Sequence, residues 1–312
     1  MTTDQDFNFP SGTQIIGKWH GKTYRLLRKI GSGAQGIVYL AQYGSKQVAI
    51  KLAKDRASLI AEVNILQQVQ QLQGDSLGPS LYDSDDWIYG RVTIGFCVME
   101  YVHGLPASEV LRKRSFDWTI VFLIQLLDRL AKLHAAGYIF ADLKPENLMI
   151  VDLGHRIRCV DFGGATKIGR SVREYTEFYD RGYWGMGTRK AEPSYDLFAC
   201  AMIALYSATG SRFEKGAAAR EQLLRKIKQT PQLVRFQPLL IRALSGRFTS
   251  AQQMRDALVQ AAMEGASTQS PHRSRQAIVR PHPHPLNDWL RAWTTALFLI
   301  TLYIICVIVY TM

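Results

Sequence analysis

The sequence predicts an α+β chain of two lobes with one membrane span behind them. A β-rich N-terminal lobe over 21–100 follows an N-terminal segment over 1–20. A helical C-terminal lobe covers 104–264, and a Pro/Arg/His-rich linker over 265–290 leads to a transmembrane helix over 291–312. Three observations carry this reading. Apolar and polar residues alternate with period two from Thr23 to Lys51, as a half-buried sheet requires. Apolar residues recur at helical spacing after Phe116. The last 19 residues, TTALFLITLYIICVIVYTM, contain no charge, and at about 1.5 Å per residue such a helix spans roughly 28 Å, close to a bilayer's apolar thickness.

The elements follow in order. MTTDQDFNFP opens the chain with acids and no apolar run, so no secretory signal is expected there. Strands fill 23–51, with Tyr43-Gly44-Ser45 as a turn, and a helix is expected at about 57–72. Further strands are expected at 87–92 and 94–100. Helices are then expected at 116–136, 194–209, 218–228, 234–244 and 250–263. A sheet followed by helices suggests a cleft between two lobes. Arg273, Arg275, Arg280 and Arg291 precede the apolar tail and no basic residue follows, so the positive-inside rule places the folded part in the cytoplasm, on a single-pass anchor in the cell membrane.

Composition narrows the class. With 47% apolar residues in 312 the chain buries a full core, which excludes a disordered protein. Cys97, Cys159, Cys200 and Cys306 lie far apart with no CxxC pair, so they read as inert thiols and not as zinc ligands. The net charge of +12 favours an anionic partner, either nonspecific DNA or anionic lipid. Nine bases from Lys18 to Arg56 face one acid, and Lys51 alone among them is assigned to the site.

Four motifs carry chemistry. Gly31-Ser32-Gly33-Ala34-Gln35-Gly36-Ile37-Val38 continues as strand, which suits a hairpin lid that brings backbone N–H groups to phosphates. Val48-Ala49-Ile50-Lys51 places an ammonium on the next strand, and Glu62, the only glutamate between Lys51 and Glu100, is its expected partner. Asp142-Leu143-Lys144-Pro145-Glu146-Asn147 supplies a proton acceptor, a cation for a moving phosphate and an oxygen ligand for a metal. Asp161-Phe162-Gly163 adds the second metal ligand, and hard oxygen donors suit Mg²⁺, with Mn²⁺ as the alternative ion.

In this order and spacing the motifs resemble the bacterial eukaryotic-like (Hanks-type) Ser/Thr protein kinases, over residues 23 to about 262. The resemblance implies a two-lobed protein kinase fold that uses ATP. It implies catalytic roles for Lys51, Glu62, Asp142, Lys144 and Asn147, and metal binding by Asn147 and Asp161. ATP would lie against Ile30, Gly31, Ser32, Gly33, Gly36, Val38, Ala49, Lys51 and Met149, behind Met99, with adenine on the backbone of Glu100 and Val102. Asp196 resembles the residue that braces the catalytic loop. The architecture is similar to that of the small C-terminally anchored kinases of spore-forming Gram-positive bacteria, which implies Ser/Thr protein substrates and a link to sporulation, and anchors in one plane raise the effective concentration of partners, which favours self-association and self-phosphorylation in the membrane.

The chain also departs from the family. Phe140-Ala141-Asp142 stands where His-Arg-Asp is usual, so Phe140 is expected to pack beneath Phe162, and the arginine that pairs with a phosphorylated activation segment is missing. Ala-Pro-Glu is absent too, which leaves Arg247 without its usual partner and the substrate-docking segment undefined. The competing classes are a nucleotide-binding scaffold without transfer and a DNA- or lipid-binding module in which transfer is secondary.

Overall fold

The computed structural model describes residues 7–33, 35–71, 77–151 and 154–268. The expected transmembrane helix and nearly all of the linker lie outside these residues. Among the described residues, no helix is long and apolar enough to cross a membrane. Both lobes belong to one compact unit, Met1–Ser267.

Six strands form the N-terminal sheet: β1 (Gln14–Ile16), β2 (Thr23–Gly33), β3 (Gly36–Tyr43), β4 (Lys46–Ala53), β5 (Leu81–Tyr89) and β6 (Val92–Glu100). Their order is β1-β2-β3-β4-β6-β5, every pair antiparallel. Alternation along β2 and β3 turns Tyr24, Leu26, Tyr39 and Ala41 inward with Ile50, Phe96 and Val98. Helix α1 (Arg56–Gln71) lies between β4 and β5 in sequence and buries Leu59, Glu62, Val63 and Leu66.

The strand expected at 87–92 instead runs from Leu81 to Tyr89, six residues earlier. Asp83, Asp85 and Asp86 read as loop in the sequence, but all three are buried. Asp85 accepts the backbone N–H groups of Trp19 and His20 at 3.0 and 2.8 Å. Asp83 accepts Tyr24 Oη and pairs with Lys22, and Asp86 pairs with Arg56. These carboxylates seal the open edge of the sheet, where Gly17 bridges Trp87. Lys22 and Arg56 are therefore paired within the lobe, which reduces the unpaired charge of the basic stretch.

The C-terminal lobe is built on α4 (Pro193–Thr209), whose run from Ser194 to Tyr206 is buried on every side. Around it stand α2 (Ala107–Lys113), α3 (Phe116–Ala135), α5 (Ala219–Gln229), α6 (Gln237–Leu244) and α7 (Ala251–Thr268). The expected helix at 234–244 divides into a 3₁₀ stretch, Pro231–Phe236, and α6, because Pro238 favours a fresh first turn. Short strands carry the loops of the site: β7 (Leu105–Pro106), β8 (Tyr138–Ile139), β9 (Leu148–Val151), β10 (Arg156–Cys159) and β11 (Thr166–Lys167). Cys97 in the sheet, Cys159 on β10 and Cys200 on α4 are free and buried. Burial pushes the Cys159 thiol up to about 12 and holds the other two well above their ordinary value.

Candidate active site

Pairing of β3 with β4 sets Val38 opposite Lys51, and pairing of β4 with β6 sets Ala49 opposite Met99. Gly36 must be glycine, because a Cβ there would strike the Leu52 carbonyl across the hairpin. Lys51 is turned inward and bonds Glu62 on α1 at 2.7 Å and Asp161 at 3.1 Å. The expected pair is therefore made despite the short separation in sequence. Burial alone lowers the lysine, but Asp161 and Glu62 outweigh it and hold Lys51 above its ordinary value. Burial pushes the Glu62 carboxyl up against that pull.

On the opposite wall, Asp196 near the start of α4 accepts Phe140 N at 2.8 Å and Ala141 N at 2.9 Å, while His134 at the end of α3 meets it at 2.8 Å. Ala141 has φ 68°, the one non-glycine residue among the described ones in the left-handed region. That conformation costs about 1–2 kcal/mol, and the bond to Asp196 holds it, which aims Asp142 into the cleft. Phe140 packs edge-on against Phe162 at 5.2 Å, as expected for a ring standing in for histidine. Lys144 Nζ donates to Asp142 Oδ2 at 2.5 Å and to Thr176 Oγ1 at 2.9 Å, and Thr176 Oγ1 donates to Asp142 Oδ1 at 2.9 Å. Asn147 Nδ2 donates to the Asp142 carbonyl at 2.9 Å, which leaves its side-chain oxygen for a cation. Burial raises the Asp161 carboxyl, but Lys51 and the Gly163 N–H outweigh that and hold it below its ordinary value. It is an anion available to a metal.

Among the described residues, no three His, Cys, Asp or Glu side chains form a closed metal cage. One Asp and one Asn oxygen fit an ion that keeps open positions for phosphates. The expected nucleotide residues divide into groups. Val38 and Ala49 meet in one cluster with Met99, and Val102 is buried at the joint between lobes. Met149 lies on β9 against β7, Gly31, Ser32 and Gly33 end β2, and Ile30 is more than a third exposed. Arg158 on β10 grips the Glu100 side chain at 2.6 and 2.9 Å and the Gly78 carbonyl at 2.7 Å, tying both lobes at the joint, where the Glu100 N–H donates to the Ser80 carbonyl at 2.8 Å. Arg158 holds Glu100 below its usual carboxylate range.

Sequence reasoning missed three contributors. Gln35, in the glycine-rich turn, donates to the Gly163 carbonyl at 2.7 Å and to Glu174, and accepts Lys51 Nζ at 3.1 Å. Arg158 carried no motif. Thr176 belongs to none of the motifs, yet it closes the Asp142–Lys144 triangle. Thr176→Val removes both hydrogen bonds, worth about 1–2 kcal/mol together, so kcat/KM for a peptide is expected to fall about 5- to 30-fold, with recovery in Thr176→Ser. Unchanged kinetics in the valine variant would contradict this role.

The missing Ala-Pro-Glu is replaced locally. Buried Asp180 accepts Gly182 N, Tyr183 N and Tyr195 Oη and pairs with Arg189 at 2.8 Å. Arg181 binds Glu192 at 2.8 Å, Ser194 Oγ at 2.7 Å and the Thr188 carbonyl at 2.7 Å. These contacts fix the docking segment to the start of α4. Arg247 forms no ion pair among the described residues.

Comparison with known proteins agrees with this geometry. Residues 24–265 match the family described as "Protein kinase domain". The chain is 44% identical over 262 residues to the serine/threonine-protein kinase YabT of Bacillus subtilis, covering 83% of this chain and 78% of that one. It is 26% identical over 246 residues to the serine/threonine-protein kinase PrkC of the same organism, spanning 36% of that protein. Among solved structures, vaccinia related kinase 3 aligns with a TM-score of 0.62 at 16% identity, covering 83% of this chain and 92% of the other, a likeness of fold.

Proposed function

Because this chain belongs to the protein kinase family and is a Ser/Thr protein kinase, we propose that it works as a membrane-anchored enzyme whose described cleft moves the γ-phosphate of ATP to cytoplasmic proteins and to itself. The observation that supports it most is the meeting of the Lys51–Glu62–Asp161 and Asp142–Lys144–Thr176 groups in one cleft. The two sets divide the work of phosphoryl transfer. Lys51 holds phosphate oxygens, kept in place by Glu62. Asp142 accepts the proton of the attacking hydroxyl, and Lys144 offsets charge on the moving group. Asn147 and Asp161 would hold Mg²⁺, which when bound neutralises phosphate oxygens. All six groups are retained, which favours an enzyme over a nucleotide-binding scaffold. Transfer of label from γ-labelled ATP to a Ser/Thr protein, compared with an Asp142→Asn control, tests the reading.

The uncharged run Thr294–Met312 behind Arg291 supports the anchor, with the folded part on the cytoplasmic side. The bases of the 18–56 stretch that form no ion pair among the described residues, Lys18, Arg25, Arg28, Lys29, Lys46 and Lys54, are then within the linker's reach of a bilayer, and we assign them to anionic lipid in preference to DNA. The sporulation link rests on the likeness to the small anchored kinases. Deleting residues 289–312 is expected to move the protein from membranes to the soluble fraction with kcat/KM for peptides unchanged. If the truncated chain still sediments with membranes after a salt wash, the anchor lies elsewhere.

A further inference from the structure

Between Asp161 and α4 the chain folds back on itself as a short ribbon. Gly169 N donates to the Ala191 carbonyl at 2.8 Å, Ala191 N to the Arg170 carbonyl at 2.7 Å and Val172 N to the Arg189 carbonyl at 2.8 Å. Ser171 stands opposite Lys190. Val172 and Ala191 are buried and hold the ribbon to the lobe. Alternation then puts Ser171 and Arg173 on its outer face, with Lys190 across from Ser171.

The cations of this segment fall into two groups. Arg181 and Arg189 are consumed by Glu192 and Asp180. Lys167, Arg170, Arg173 and Lys190 are exposed, and among the described residues none of them forms an ion pair. Arg170, Arg173 and Lys190 on the ribbon, with Lys167 just before it on β11, constitute an anion-binding surface without an ion-pair partner among the described residues. Of the nearest acids, Glu174 is turned to Gln35, Glu177 is exposed beyond Thr176, and Glu192, close enough to feel Lys190, is held by Arg181.

Position selects the partner. Arg173 lies three positions before Thr176, at most about 11 Å of chain, and Thr176 touches Asp142. A peptide that presents its hydroxyl to Asp142 therefore passes the ribbon within a few residues. We infer that the ribbon docks acidic side chains of the protein substrate, about three to five positions from the acceptor Ser or Thr, through Arg173 and Lys190 above all. This inference rests on the phosphotransfer reading and narrows it to acidic substrates. A nucleic acid fits the ribbon less well, because it would bring one charge per about 1.7 Å past Glu177 to a strip only a few residues long.

The test uses the full chain in detergent and Ser/Thr peptides that differ only in Asp, Ala or Arg at the flanking positions. kcat/KM for the acidic peptide is expected to exceed that for the neutral one about tenfold, mainly through KM. Arg173→Glu with Lys190→Glu should abolish the preference while the neutral peptide is still phosphorylated, and the paired glutamine variant should lose most of it. Binding of a labelled acidic peptide, read by fluorescence anisotropy, separates docking from chemistry. Ribbon-dependent binding without transfer to any peptide would support docking and refute the phosphotransfer reading. Transfer with no acidic preference, a preference that survives the double variant, or no ribbon-dependent binding would overturn the inference. So would a double variant that loses binding to duplex DNA while keeping the acidic preference.

Discussion

Asp142→Asn is expected to lower kcat by about 10²- to 10⁴-fold, the usual contribution of a positioned proton acceptor, with the thermal unfolding transition unmoved. The side chain is only partly buried and belongs to no apolar cluster. Its contacts, Lys144, Thr176 and Asn147, are the groups that surround a reacting hydroxyl, so the loss falls on the transition state. Asparagine keeps the shape and one acceptor but cannot take the proton. Single-turnover transfer from γ-labelled ATP measures the effect, and a variant within threefold of wild type would remove Asp142 from the chemistry.

Lys51→Met is expected to reduce phosphotransfer below detection and also to weaken the fold. From the sequence, this lysine acts on phosphates alone and its loss spares the fold. The structure adds a second effect, because Lys51 is buried between two carboxylates and Glu62 is almost wholly enclosed. Removing one partner of a buried pair costs about 3–5 kcal/mol. The cost should depend on pH. With the ammonium gone, burial raises the Glu62 carboxyl in the folded state above its unfolded value of about 4.5. The folded state then binds the extra proton, so stability is retained below that value and lost as pH rises through the folded one. Thermal unfolding at pH 5 and pH 8 should show the variant much closer to wild type at the lower pH. A pH-independent difference would contradict the account.

What the sequence made legible follows from how local each signal is. The catalytic loop was readable because Asp142, Lys144 and Asn147 lie within six residues, and the sheet because alternation repeats along each strand. Phe140 could be paired with Phe162 because both sit in recognisable motifs. Thr176 reaches Asp142 across 34 positions and Arg158 reaches Glu100 across 58, and nothing near either residue marks the contact. The start of β5 was missed because acids at 83, 85 and 86 are poor strand formers by composition. They are buried only because the turn at 17–20 turns its N–H groups toward them. The replacement of Ala-Pro-Glu by Asp180 and Arg181 was hidden for a similar reason, since two charged residues look solvent-bound until Tyr195, Glu192 and Ser194 close around them.

The three enclosed cysteines bear on oxidative chemistry and on how the molecule opens. A thiol held near 12 is ionised in only about one molecule in 10⁵ at pH 7, and thiolate is the form that reacts with peroxide or alkylating reagents. Since all three lie behind packed side chains, the folded lobes offer almost nothing to an oxidant. Modification has to wait for the surrounding structure to part. Cys97 faces Lys51 across the sheet, Cys159 closes the β9–β10 pair at the joint, and Cys200 sits inside α4. The rate at which each becomes labelled therefore reports the opening free energy of a different region: the phosphate-holding sheet, the joint between lobes, and the helix whose Asp196 braces the catalytic loop.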